Sequence, residues 1–355
     1  MDLRLPASAS REAWLLADLL KAVSRSFYLT LRVLPPCIRR PIGLAYLLAR
    51  TTDTVADTEI LPVKERLDVL SQLHERIQGR QREPLELGAM TQRQDLDSER
   101  LLLEHLEESL AILDALEPDD RDRVRDVLQV ITSGQELDLR RFATADSEQL
   151  VALQSDDELD DYRYRVAGCV GEFWTRVCRA HLYADQDFDE AVMVERGVRL
   201  GKALQLINIL RDLPRDLRMG RCYLPEARLI AVGLRPEDLL DAARMPRFLP
   251  VLEFYLDRAW QDLQVGWIYT LALPASSIRV RLACAWPILI GARTLQLLRD
   301  SNVLDPGQRV KISRGAVYRI LLNSLIRYPW RGAWKNLFPK RNLVRSASIC
   351  SKPEP

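Results

Sequence analysis

Apolar residues recur at three- and four-residue spacing through most of this chain, and signals for strands are nearly absent. A helix with 3.6 residues per turn gathers such residues onto one face, so the pattern dictates amphipathic helices. No Asn-Gly or Asp-Gly pair offers a tight hairpin turn. The spacing predicts helices over residues 13–23, 42–55, 63–77, 97–116, 121–134, 162–181, 190–212, 249–272, 278–299 and 313–327. Pro35-Pro36, Pro84, Glu117-Pro118, Pro274 and Asp305-Pro306-Gly307 punctuate them. Residues 81–98 read as a polar loop and 145–161 as an acidic lead-in. With no fixed-period repeat and no Gly/Ser tract, we expect one all-α domain over residues 21–328. An N-terminal segment (1–20) precedes it, and a basic, aromatic, partly disordered tail (329–355) follows.

The 355 residues are 47% hydrophobic and 28% charged, enough for a sizeable core. A net charge of +1 gives no global reason to expect nucleic acid. The charge is uneven, with eleven Lys or Arg and no Asp or Glu between Pro306 and Pro353. Mixed with Tyr328, Trp330, Trp334 and Phe338, this segment suits peripheral contact with an anionic membrane, or packing on its own domain. The uncharged run at 282–292 is too short to cross a bilayer and contains Pro287. Six scattered cysteines without a CxxC, and a start that lacks a signal-peptide pattern, predict reduced thiols and a cytoplasmic protein. His74, His105 and His181 form no ligand-like cluster, and Ser24 and Ser26 have no nearby His base.

Two carboxylate pairs stand out. Asp53 and Asp57, four residues apart, share a helix face with Tyr46 and Arg50. Gln205, Asn208, Asp212 and Asp216 repeat the arrangement, with Arg211 beside them. Like charges at i,i+4 repel by about a few tenths of a kcal/mol, so such a pair in an apolar helix calls for a cation. Mg²⁺ favours carboxylate oxygens and is held by one or two of them together with substrate phosphates. Metal and arginine together can clamp a departing diphosphate. The cation left behind needs an apolar, dry cavity with aromatic walls. Pro214 and Arg215 stand between the second pair, and a proline tends to bend or end a helix.

These residues resemble the squalene/phytoene synthase family of head-to-head prenyltransferases from about Ala22 to Tyr328. Ser24-Arg25-Ser26-Phe27 is similar to the family's SRSF element, which implies diphosphate binding. Tyr46, Arg50, Asp53 and Asp57 match the first aspartate motif. The run from Tyr162 to Gly171 resembles Y-x-x-x-V-A-G-x-V-G, whose tyrosine is implied to act near the carbocation or in proton transfer. Gln205, Asn208, Arg211, Asp212 and Asp216, followed by Gly220-Arg221-Cys222-Tyr223-Leu224-Pro225, match the second motif. The resemblance implies a helical bundle around a central apolar cavity. It implies catalytic roles for Tyr46, Tyr162 and the four aspartates. It also implies diphosphate contacts from Ser24, Arg25, Ser26, Arg50, Gln205, Asn208, Arg211 and Arg221. The four aspartates and Asn208 would hold Mg²⁺.

Val310-Lys311-Ile312-Ser313-Arg314-Gly315 resembles the V-K-I-R-K-G element of the family's squalene synthase branch, implying NADPH contacts from Lys311 and Arg314. Leu282-Ala283-Cys284-Ala285-Trp286-Pro287 looks like that branch's F-C-A-I-P segment, with Ala283 in place of Phe. The expected reaction is condensation of two farnesyl diphosphates to presqualene diphosphate, then NADPH-dependent reduction to squalene. Phytoene, dehydrosqualene or presqualene diphosphate synthesis without reductant is the alternative, and a non-catalytic scaffold on this fold the alternative of another class.

Overall fold

The computed structural model describes residues 11–24, 27–58, 61–91, 96–146, 149–308 and 310–340. It is all-α in class, 76% helical, and its one sheet among the described residues is a two-stranded parallel pair. The chain gathers into two compact units. One comprises residues 1–143 with 172–194, the other 144–171 with 195–355.

In the first unit the Pro36–Asp57 helix packs against Pro118–Arg141, which also packs against Val63–Ile77. Both Pro36 and Pro118 sit at a helix start, where the missing N–H has no intrahelical partner to lose. Leu44, Leu47, Leu48, Leu70, Leu73, Val124 and Leu128 are fully buried between these helices. The helix expected over 97–116 is broken at His105, which takes φ −105° and ψ 21° between Asp97–Glu104 and Leu106–Asp114. His105 lies edge-on to Trp14 at 4.9 Å, and His181 bonds Asp120 at 2.8 Å, so both histidines have structural partners.

In the second unit, Met245–Ala272 and Ile278–Arg299 pack along one another, and Arg314–Arg327 packs on the latter. Asp156–Arg163 is capped by Ser155, which accepts from the Glu158 N–H, while Glu158 accepts from the Gln154 N–H at 2.7 Å. One π-helical turn, Tyr164–Gly168, joins it to the helix Cys169–Leu182. The glycines there serve close approach. A Cβ on Gly171 would lie 1.9 Å from the Gly197 carbonyl oxygen, and one on Gly201 2.1 Å from that of Ala167. Strand Val151–Ala152 pairs with Arg221–Cys222, and Gly220, at φ +77°, makes the turn into it.

The tail folds further than its composition alone requires. Trp334 is buried against Tyr328 (4.7 Å) and Trp267 (5.7 Å), Phe338 packs on Trp260 (5.2 Å), and Trp267 Nε1 donates to the Lys335 carbonyl at 3.2 Å. Trp330 stays 62% exposed. The disorder expected at the end of the chain falls on residues 341–355, outside those described.

Candidate functional site

Burial of Leu44, Leu47, Leu48, Thr51 and Val55 fixes one face of the Pro36–Asp57 helix. The other face carries Tyr46, Arg50 and Asp53 half-buried and Asp57 exposed, toward the helix's C-terminal end. Tyr46 stacks on Phe27 at 5.4 Å, tying the first aspartate motif to the Ser24–Phe27 element. Arg50 pairs with Asp53 and, through its other nitrogen, with Glu99 at 2.5 Å. Burial alone would lower the Arg50 pKa, but the two carboxylates outweigh it and raise it. Desolvation is the largest influence on the Asp53 carboxyl and pushes its pKa up; Arg50 pulls it back, and Glu99 pushes it up further.

The helix has no basic residue in its own last turn. Its carboxylates therefore stand at the negative end of the helix dipole, with Arg66, donating to the Ala56 carbonyl at 2.9 Å, as the cation at that end. Such a carboxylate, disfavoured where it sits and beside a second acid, gains from a bound cation. Among the described residues no three His, Cys, Asp or Glu converge as a closed cage. This donor set fits Mg²⁺, which completes its shell with waters and phosphate oxygens.

The second pair lies on Glu190–Arg218, which continues through Pro214 for another turn and corrects the expectation that Pro214 disturbs it. Leu213 and Leu217, each 1% exposed, anchor the turn around the proline, so burial outweighs the lost N–H. Gln205, Asn208, Asp212 and Asp216 follow one another along this helix with Asn208 fully on the exposed side. Arg211 forks onto its neighbour Asp212 with contacts of 2.8 and 2.5 Å. That bond, with the charges of Asp212 and Asp216, raises the Arg211 pKa against desolvation. Arg215 and Arg218 occupy the last turn.

Tyr162 is buried and stacks on Tyr223 at 4.7 Å and 22°, joining the Tyr162–Gly171 and Gly220–Pro225 elements. Arg221 is half-buried in the short strand. Beneath the π turn, Arg163 donates to Asp262 (2.8 Å) and to the Lys202 carbonyl (3.0 Å), while Arg199 also bonds Asp262 and Lys202 bonds Asp160 at 2.6 Å. Burial lowers the Arg163 pKa despite Asp262.

Other expected residues stand apart. Ser24 is buried and its hydroxyl donates to the Leu20 carbonyl at 2.5 Å, one turn back on its own helix. Arg25 and Ser26 lie outside the described residues. Lys311 and Arg314 are exposed around the start of Arg314–Arg327, where Ser313 accepts from the Ala316 N–H. Glu99 and the buried Arg163–Asp262 pair were not singled out from the sequence. Each is far in sequence from its partner, so no local spacing announces it.

Against known proteins, residues 20–316 match the squalene/phytoene synthase family. The chain is 30% identical to the 15-cis-phytoene synthase of Synechocystis over 74% of this chain and 71% of that protein. It is 31% identical to the presqualene diphosphate synthase of Zymomonas mobilis over 68% of each. With the squalene synthase of Saccharomyces cerevisiae it shares 24% over 86% of this chain and 66% of that one. The solved TcSQS–ligand structure has a like fold, with TM-score 0.73 at 23% identity over 88% of this chain and 86% of that one. With two aspartate motifs, the tyrosine helix and the fold in agreement, the chain belongs to the squalene/phytoene synthase family and is a prenyltransferase of the head-to-head prenyl diphosphate condensing class.

Proposed function

We propose that this enzyme condenses two farnesyl diphosphates head to head to presqualene diphosphate and reduces that intermediate to squalene with NADPH. The observation that carries the first half is the Asp53–Arg50–Glu99 arrangement, a cation-seeking carboxylate held beside an arginine. Asp53, Asp57, Asn208, Asp212 and Asp216 would hold Mg²⁺, which when bound neutralises the diphosphate and eases its departure. Arg50, Arg211 and Arg221, with Gln205, would orient phosphate oxygens by charge-assisted hydrogen bonds. The Arg25-Ser26 backbone and side chains, with Ser24, belong to the same proposal. Tyr162, stacked on Tyr223, offers a π face to the developing carbocation, and Tyr46 and Tyr162 are the candidates to hold or move a proton. The reductive half rests on Lys311 and Arg314, exposed cations suited to nicotinamide-nucleotide phosphates. The surrounding bundle is proposed as one catalytic domain over residues 21–328, in the cytoplasm and peripheral to an anionic membrane.

The second reading stops without reductant. It is favoured by the 30% and 31% identities to a phytoene synthase and a presqualene diphosphate synthase, both above the 24% to the yeast squalene synthase. Product analysis with farnesyl diphosphate and Mg²⁺ decides between them. Squalene only when NADPH is added supports the first reading. Presqualene diphosphate, or a rearranged C30 product, regardless of NADPH supports the second. No pyrophosphate release from folded protein would leave only a scaffold.

A further inference from the structure

The Arg314–Arg327 helix turns only part of itself inward. Ser324 is fully buried and accepts from Trp286 Nε1 at 2.9 Å, which orients the helix on Ile278–Arg299. On the side away from Ser324, Tyr318, Leu322, Leu325 and Ile326 are 65%, 58%, 50% and 53% exposed. Their spacing of i, i+4, i+7 and i+8 forms one continuous apolar stripe. At 100° per residue, Arg314 and Arg319 fall on its two flanks, and Trp330 stands exposed beyond its end. A monomeric protein seldom leaves such a row of large apolar side chains in water without use.

We propose that this stripe is a docking face that inserts into an anionic lipid surface. The proposal deepens the peripheral-membrane reading above and places the contact on the helix rather than on the end of the chain. Charge selects the occupant. The chain carries no Asp or Glu from Pro306 to Pro353, so the segment that bears the stripe is basic throughout. A second copy meeting this face symmetrically would set Arg314 and Arg319 against like charges. An anionic bilayer takes both parts, with leucine and isoleucine below the headgroups, arginine among them, and Tyr318 and Trp330 at interfacial depth. Trp334 and Phe338 pack on their own unit and are not part of the face.

The test is co-sedimentation of the full chain with phosphatidylcholine vesicles, with and without phosphatidylserine. The expected result is binding that requires phosphatidylserine and is weakened by high salt. The double variant Leu322→Glu/Leu325→Glu is expected to bind at least about tenfold more weakly, from the lost leucine burial alone. Its melting temperature and its turnover of detergent-dispersed farnesyl diphosphate should match those of the parent. A chain ending at Lys340 should keep most of the binding. The proposal is overturned if the double variant binds like the parent or if the parent ignores anionic vesicles. It is also overturned if the parent is a dimer that Leu322→Glu dissociates. Loss of binding on truncation alone would move the contact to the chain end and sink the helix face, whereas loss of turnover alone would bear on the catalytic reading.

Discussion

The two aspartate pairs share a spacing but not an electrostatic setting. Both lie in the closing turns of long helices, where the dipole disfavours negative charge. Glu190–Arg218 answers this with Arg215 and Arg218 in its last turn and Arg211 forked onto Asp212. Pro36–Asp57 has no basic residue there, and its one aligned arginine is shared between Asp53 and Glu99. The same motif therefore produces an arginine-compensated Asp212 in one helix and a crowded, cation-demanding Asp53 in the other. Spacing identifies where a metal can be held; the surrounding charges decide how strongly it is wanted.

The largest effect that could break this contrast is catalytic. Asp53→Asn should cost about a thousandfold or more in turnover, the several kcal/mol a metal-held leaving group is worth. Its stability should move the other way. The folded Asp53 pKa lies above the unfolded value, so the protein without metal loses stability as pH rises from the unfolded value through the folded one. Asn removes that loss, so at neutral pH without Mg²⁺ the variant should melt at or slightly above the parent temperature. A clearly lower melting temperature, or parental turnover, would contradict the crowded-carboxylate account.

Next in size is the frame of the second pair. Gly201→Ala would drive a Cβ into the Ala167 carbonyl and should destabilise by about 1–3 kcal/mol, lowering the denaturant midpoint. Pro214→Ala restores a missing helix N–H in a turn already anchored by Leu213 and Leu217. It should raise the melting temperature and leave turnover within about a few-fold, as a relieved interior proline does. A large loss of turnover would mean that the proline shapes the site.

The smallest effect is a shift in pH dependence. Glu99 holds the Asp53 pKa up, so Glu99→Gln should let it fall. Asp53 must be ionised to hold a cation, so the acid limb of the pH–rate profile should move to lower pH. No movement, or movement upward, would remove Glu99 from the account.

Much of this was legible in the sequence because helices announce themselves locally. The long periodic segments recur as helices, and the Tyr46–Asp57 and Gln205–Asp216 faces follow from spacing alone. Two elements went further than their local chemistry implied. Pro214 reads as a breaker, yet tertiary burial of the leucines beside it carries the helix through. The tail reads as membrane contact or as packing on its own domain, and Trp334 and Phe338 take the second course through aromatic partners on the distant Met245–Ala272 helix, which no local spacing names. Glu99 and Asp262 were invisible for a related reason. Each meets its arginine across a long sequence separation, 49 residues for Glu99 with Arg50 and 99 for Asp262 with Arg163.

The most direct test of the contrast is calorimetric titration of Mg²⁺ into the enzyme with an unreactive farnesyl diphosphate analogue, comparing the parent with Asp53→Asn and Asp212→Asn. The account predicts weaker binding in both, with the larger loss in Asp53→Asn. Equal Mg²⁺ affinity in the parent and Asp53→Asn would contradict it.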